Sequence, residues 1–135
     1  MISRGPGRSD NAGHCIGLSD QGPVRYCEAT EGVSLAYTHV GSGPPLVFAG
    51  AWMTHLERER DDPAWGHYLS RLAEDFLLIR YDQRGNGMSD WKGVDISFER
   101  MVDDLGAVVG CHDHGKVAIY GASQAAVALG IRHDI

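Results

Sequence analysis

The residue with the clearest chemical potential is Ser123, in the stretch "KVAIYGASQAA" at 116–126. An apolar run ends there in Gly121-Ala122-Ser123-Gln124-Ala125, and small helix formers follow. A serine at a sharp strand-to-helix junction can act as a nucleophile, provided that the residues two before and two after it are small. Gly121 and Ala125 meet that need, although glycine is the commoner choice at the second position and a methyl group there costs clearance. The first N–H groups of a helix lack intrahelical partners and point into the space above the serine, so the Gln124 N–H is a candidate oxyanion donor. The competing explanation is that Ser123 merely caps a helix. The pattern alone does not separate the two.

The elements that must position Ser123 can be read from the chain around it. Residues 1–22 are rich in Gly, Ser, Asp, Asn and Pro and are expected to form a flexible tail. Residues 23–135 are expected to form one partial domain. "VRYCEAT" and "VSLAYTHV", at 24–30 and 33–40, read as a hairpin turning at Glu31-Gly32. "GSGPP" then breaks the chain before "LVFAG" at 46–50, a short continuous apolar run of the kind a strand buried on both faces shows. "PAWGHYLSRLAEDF" places Trp65, Leu69 and Leu72 at helical spacing, with Pro63 in the first turn. "FLLIRYD" at 76–82 is the next buried strand and "QRGNGMSD" its closing turn. A second helix begins near Ser97, its expected N-cap, and carries Phe98, Met101, Val102, Leu105, Val108 and Val109 on one stripe. "KVAIY" delivers Ser123, and a last helix runs on from Gln124. Strands alternating with helices in this order predict an α/β fold with crossover helices on a parallel sheet.

Composition narrows the classes of function. The chain has 135 residues, 43% hydrophobic and 22% charged, which is an ordinary globular balance. Its formal charge of −6 would repel a phosphate backbone, so nucleic acid is not an expected partner. No apolar run reaches the roughly 18 residues of a membrane span, and "MISRGPGRSDNAGH" lacks the apolar core of a secretory signal; a cytoplasmic location with no membrane partner is expected. Cys15, Cys27 and Cys111 are odd in number and widely spaced, which suggests neither a disulfide framework nor a zinc site. "GCHDHG" groups Cys111, His112 and His114 at a helix end, but no second ligand pair lies at zinc-like spacing, and the helix dipole accounts for histidine there. Neither a cofactor nor a metal is expected.

Taken together, "GSGPPLVFAGAW", "LIRYDQRGNGMSD" and "GKVAIYGASQA" resemble the N-terminal half of a serine hydrolase of the α/β-hydrolase superfamily, in the same order and at similar spacing. The resemblance covers nearly everything after residue 24. It is strongest to bacterial members that also occur fused to regulatory or cyclase domains, in which a segment like "WMTHLE" follows the third strand. It implies that Ser123 is the nucleophile and that the backbone N–H groups of Gln124 and Trp52 form the oxyanion hole. Relatives place His-Gly before the donor loop, whereas this chain has Gly50-Ala51. The resemblance also implies structural roles for Asp82 and Arg84. A serine at this position, where epoxide hydrolases and dehalogenases of the fold carry Asp, implies acyl chemistry on a small-molecule ester, thioester, lactone or similar carbonyl.

That chemistry needs a base, and in this superfamily the acid and histidine follow the serine along the chain. Only twelve residues follow Ser123. His133 stands ten residues on, about 15 Å away along a helix, beyond hydrogen-bond reach. His55 is expected to line the pocket, and His39 and His67 to be ordinary strand and helix positions. The fold is therefore expected to end after the elbow helix, as a truncated α/β-hydrolase sheet that is inactive alone. Three readings stay open: an N-terminal hydrolase fragment, a non-catalytic scaffold or interaction module, and one half of a split hydrolase. In the isolated chain, "KVAIY" becomes a sheet edge that only Lys116 protects, with Val117 and Ile119 losing the covering helices that normally follow; that chain is expected to aggregate, to associate through this edge or to remain partly unfolded.

Overall fold

The computed structural model describes residues 17, 20–50, 53–112, 115–123 and 125–126. Five strands, β1 (Arg25–Glu28), β2 (Ser34–Val40), β3 (Pro45–Ala49), β4 (Leu77–Tyr81) and β5 (Ala118–Gly121), form one sheet in the order β1-β2-β4-β3-β5. β1 and β2 form the antiparallel hairpin, with Tyr26 opposite Ala36. The turn between them passes through Glu31 and Gly32, both at positive φ, and closes with Ala29 N–H donating to Val33 O at 2.8 Å. β2 is antiparallel to β4, while β3 runs parallel to both β4 and β5, so that Val47 is flanked by Ile79 and Ile119.

Among the described residues, two α-helices cover the sheet. α1 (Trp65–Ala73) joins β3 to β4, and α2 (Phe98–Gly110) joins β4 to β5. The first connection moves one way along the strand order and the second moves back across β3, so right-handed crossovers must set the helices on opposite faces. The two apolar clusters show this division. Leu46, Phe48 and Leu78 pack with Leu69 and Ala73 of α1. Val47, Ala49, Ile79 and Tyr81 pack with Leu105 and Val108 of α2, together with Cys27 and Leu35. Runs such as "LVFA" and "LLI" are continuously apolar because neighbouring residues point to opposite faces and both faces are buried.

The sequence-based expectations differ from the structure at four places. Trp65 is 46% exposed rather than packed on the sheet, while Leu69 is buried and Leu72 is partly so. Ser97 occupies the N-cap position of α2 in extended backbone, but its hydroxyl makes no capping bond; Asp95 Oδ1 instead accepts the Ser97 N–H at 2.8 Å. The stretch expected to stay flexible to residue 22 is tied down at its end. Gly22 N–H donates to His39 O at 2.7 Å, and Arg80 Nη1 donates to Gln21 Oε1 at 3.1 Å. Val117 and Ile119, expected to lose the helices that normally follow, are partly buried against the α2-side cluster. Among the described residues, no helix is long and apolar enough to cross a membrane.

Candidate active site

The carboxyl ends of β3 and β4 open into a cleft of about 610 Å³. Its apolar wall includes Phe48, Leu69, Trp65 and Trp91, and its polar side includes Thr54, His55, Arg58 and Asn86. The cleft forms where an open α/β sheet places its ligands, because loops leave the strands there in different directions.

Asp82 fixes the two loops that frame the cleft. It stands just past β4, is fully buried, and accepts from Thr54 Oγ1 at 2.7 Å, Leu56 N–H at 3.2 Å and Met88 N–H at 2.8 Å. One carboxylate thus ties the loop after β3 to the loop after β4, and its charge strengthens each bond. Ser89 extends the tie to the hairpin by donating to Asp82 O at 2.5 Å and accepting the Ala36 N–H at 2.8 Å. Trp91 is held at the rim by its indole N–H, which donates to Gly87 O at 2.7 Å.

Arg84 braces the same loop from behind. Its guanidinium, 0% exposed, donates through Nη2 to Asp104 Oδ1 of α2 at 2.7 Å and through Nη1 to Asp95 O at 3.2 Å. Asp104 accordingly raises the pKa of Arg84. On the α1 side, the buried Arg80 pairs with Glu59, which anchors the short 3-10 turn Arg58–Asp61 under the cleft. Burial pushes Arg80 down and Glu59 up from their ordinary values, and their mutual attraction opposes both shifts.

Ser123 lies two residues beyond the Ala49–Gly121 pairing of β3 and β5, at the carboxyl end of the parallel strands where the cleft also opens, and it is exposed. Its φ of 57° falls in the left-handed region, which L-residues other than Asn and Asp rarely occupy. Ala122 N–H still donates to Ala49 O at 3.1 Å, and Ala126 N–H already donates to Ser123 O at 3.1 Å. The chain therefore passes from ladder to helical turn within these few residues. Ala125 is 4% exposed within the α2-side cluster, so the fold accommodates its methyl group as a packing element. Met53, at 68° a third non-glycine residue at positive φ among those described, besides Glu31 and Ser123, follows directly on Trp52 in sequence.

Trp52 and Gln124, the expected oxyanion donors, lie outside the described residues, as do Cys15, His114 and His133. His55 lines the cleft and accepts the Arg58 N–H at Nδ1, 3.3 Å away. His39 lies in β2 and His67 in α1, and His112 Nδ1–H donates to Val108 O at 2.9 Å, satisfying a carbonyl at the helix end. These hydrogen bonds of His55 and His112 go to Arg58 and Val108, and Ser123 is not among the described residues that line the cleft. Sequence reasoning missed Thr54, Arg58, Trp65 and Trp91. Only Trp65 and Trp91 carried a signal, as large apolar residues beside loops.

No protein-family model and no curated protein matches the chain. Solved structures do. An α/β hydrolase from Sphaerobacter thermophilus is 30% identical with a TM-score of 0.61, the match covering 77% of this chain and 37% of that one. An N-formylmaleamic acid deformylase from Pseudomonas putida is 26% identical with a TM-score of 0.64, covering 78% and 39%. A hydrolase from Pseudomonas aeruginosa is 24% identical with a TM-score of 0.66, covering 79% and 39%. The chain spans well under half the length of each of these structures.

Proposed function

Since the chain carries an N-terminal portion of the α/β-hydrolase fold, we propose that it supplies the nucleophile half of a serine hydrolase acting on an ester or related acyl carbonyl. The observation that carries this reading is the left-handed backbone of Ser123 at the carboxyl end of β5. A non-glycine residue stays in that region only where its surroundings impose it, and such strain concentrates at functional sites.

In the proposed reaction, Ser123 Oγ attacks the carbonyl carbon, and the oxyanion accepts hydrogen bonds from the N–H groups of Gln124 and Trp52. Collapse of the tetrahedral adduct expels the alcohol, and water then hydrolyses the acyl-enzyme. The aromatic and aliphatic wall of Trp65, Trp91, Phe48 and Leu69 suits an apolar or aromatic acyl group. Proton transfer from Ser123 needs a base. His55 does not hydrogen-bond the serine, so this reading assigns the base to polypeptide beyond this half of the fold.

The test is hydrolysis of nitrophenyl esters by the 135-residue chain and by the product of its whole reading frame, each with and without Ser123→Ala. The expected result is weak residual turnover by the 135 residues alone, and in the longer product a turnover that Ser123→Ala lowers by several orders of magnitude. Ester hydrolysis indifferent to Ser123→Ala would overturn the reading. Among the described residues β5 pairs with β3 alone, which supports a second reading in which another chain completes the sheet.

A further inference from the structure

The proposed chemistry uses none of the cysteines, yet two of them meet in the fold. Cys27 of β1 is 6% exposed and packs with Leu35, Leu105 and Val108, so its thiol lies on the sheet face that α2 covers. Cys111 follows directly on α2, exposed, with its N–H closing the helix on Ala107 O at 3.0 Å. The next residue, His112, sets its ring edge-on to Tyr37 with centroids 5.0 Å apart. Tyr37 is paired with Arg25, two residues along β1 from Cys27. Residues two apart on a strand share a face, so the end of α2 is seated on the face of β1 that carries the Cys27 side chain. Val108, in the same buried cluster as Cys27, stands one helical turn before Cys111, and burial together with the Cys111 thiol pushes Cys27 up to about 12. Both are free thiols here.

We propose that Cys27 and Cys111 form a reversible intramolecular disulfide, a redox site joining the edge strand β1 to the carboxyl end of α2. The oxidant is a small disulfide such as oxidised glutathione. Cys111, the exposed partner, reacts first: its thiolate attacks one sulfur of the small disulfide, forming a mixed disulfide and releasing one small thiol. The Cys27 thiol then gives its proton to solvent, and its sulfur attacks Cys111 Sγ and expels the second small thiol. Two protein thiols are oxidised and one small disulfide is reduced to two thiols, so atoms and electrons balance. The first step also removes the Cys111 thiol that helps to hold the Cys27 proton, which favours the second. The bridge joins residues 84 positions apart in the sequence, and it clamps the helix whose Asp104 holds Arg84 behind the cleft loop.

The experiment incubates the purified chain with excess oxidised glutathione, unfolds it in acid, alkylates the remaining thiols and maps the peptides by mass spectrometry. The expected product is a monomer lighter by two hydrogen atoms, with one Cys27–Cys111 linked peptide and Cys15 alkylated. Its Tm should rise by roughly 5–10 °C and return to its starting value with dithiothreitol. Cys111→Ser, at an exposed position, should fold normally and abolish both the link and the Tm change. A lasting glutathione adduct on Cys111 with Cys27 still alkylated, or bridges that involve Cys15 in place of Cys27, would overturn the proposal.

Discussion

A Cβ atom on Gly87 would stand 2.1 Å from Asp82 Oδ2, inside any permissible contact, and Gly87 has a φ of +48°. The carboxylate that ties the two cleft loops together therefore requires a glycine beside it. Gly87→Ala should lower stability by about 2–4 kcal/mol, because the methyl group must displace Asp82 from its donors. Gly93→Ala is the control. Gly93 also has positive φ, at +65°, but nothing lies within 4 Å of its added methyl group, so only about 1 kcal/mol of backbone strain is expected. Urea unfolding of the two variants checks this, and equal losses would show that the contact with Asp82 is unimportant.

The buried Arg84–Asp104 pair should behave as a unit. Asp104→Ala leaves a guanidinium with 0% exposure without its carboxylate and is expected to cost about 3–5 kcal/mol. The double change Arg84→Met with Asp104→Leu should cost less than that single change, since no unpaired charge remains. Unfolding midpoints arranged as a double-mutant cycle supply the measurement, and simple additivity would contradict it.

Stability should fall in alkaline solution. Cys27 titrates at about 12 in the folded chain against an ordinary value of 9.0, so between about pH 9 and 12 the unfolded chain has lost a proton that the native chain keeps. The native state then binds more protons, and stability declines as pH rises, by at most about 1.4 kcal/mol per pH unit from this group. The Tyr81 phenol, also pushed up by burial, adds a loss of the same sign. Thermal melts of the reduced protein across this range should show a shallower decline in Cys27→Ala, and an unchanged slope would argue against the assignment.

The β5 edge should make the isolated chain self-associate. Among the described residues β5 pairs only with β3, and Tyr120 on it is 41% exposed, stacked on Phe48 at 5.5 Å. A strand edge with unpaired N–H and C=O groups and an aromatic side chain is a template for another strand. Size-exclusion chromatography with light scattering should show concentration-dependent oligomers that Tyr120→Lys shifts toward monomer. A monomer at all concentrations, with strongly protected amides at 116–120, would exclude this edge as the contact.

The sequence by itself determined the kind and order of the elements and the junction at Ser123. The four-residue separation of Leu69 and Ala73 and the alternation of Leu46, Val47 and Phe48 are set by helix and strand geometry within a few residues, and their burial follows that pattern. Gly121 and Ala125 likewise announced a tight turn, because the steric demand there is local. The cleft was not legible in this way. Thr54, Leu56, Asp82 and Met88 meet only because β3 lies beside β4, and strand order leaves no periodic trace in sequence. The same holds for Gln21 against Arg80 and for Cys27 in one cluster with Leu105 and Val108 of α2. Trp65 shows the limit most plainly: helical spacing placed it with Leu69, but the sheet ends before it, so a residue that reads as core becomes the wall of a cleft.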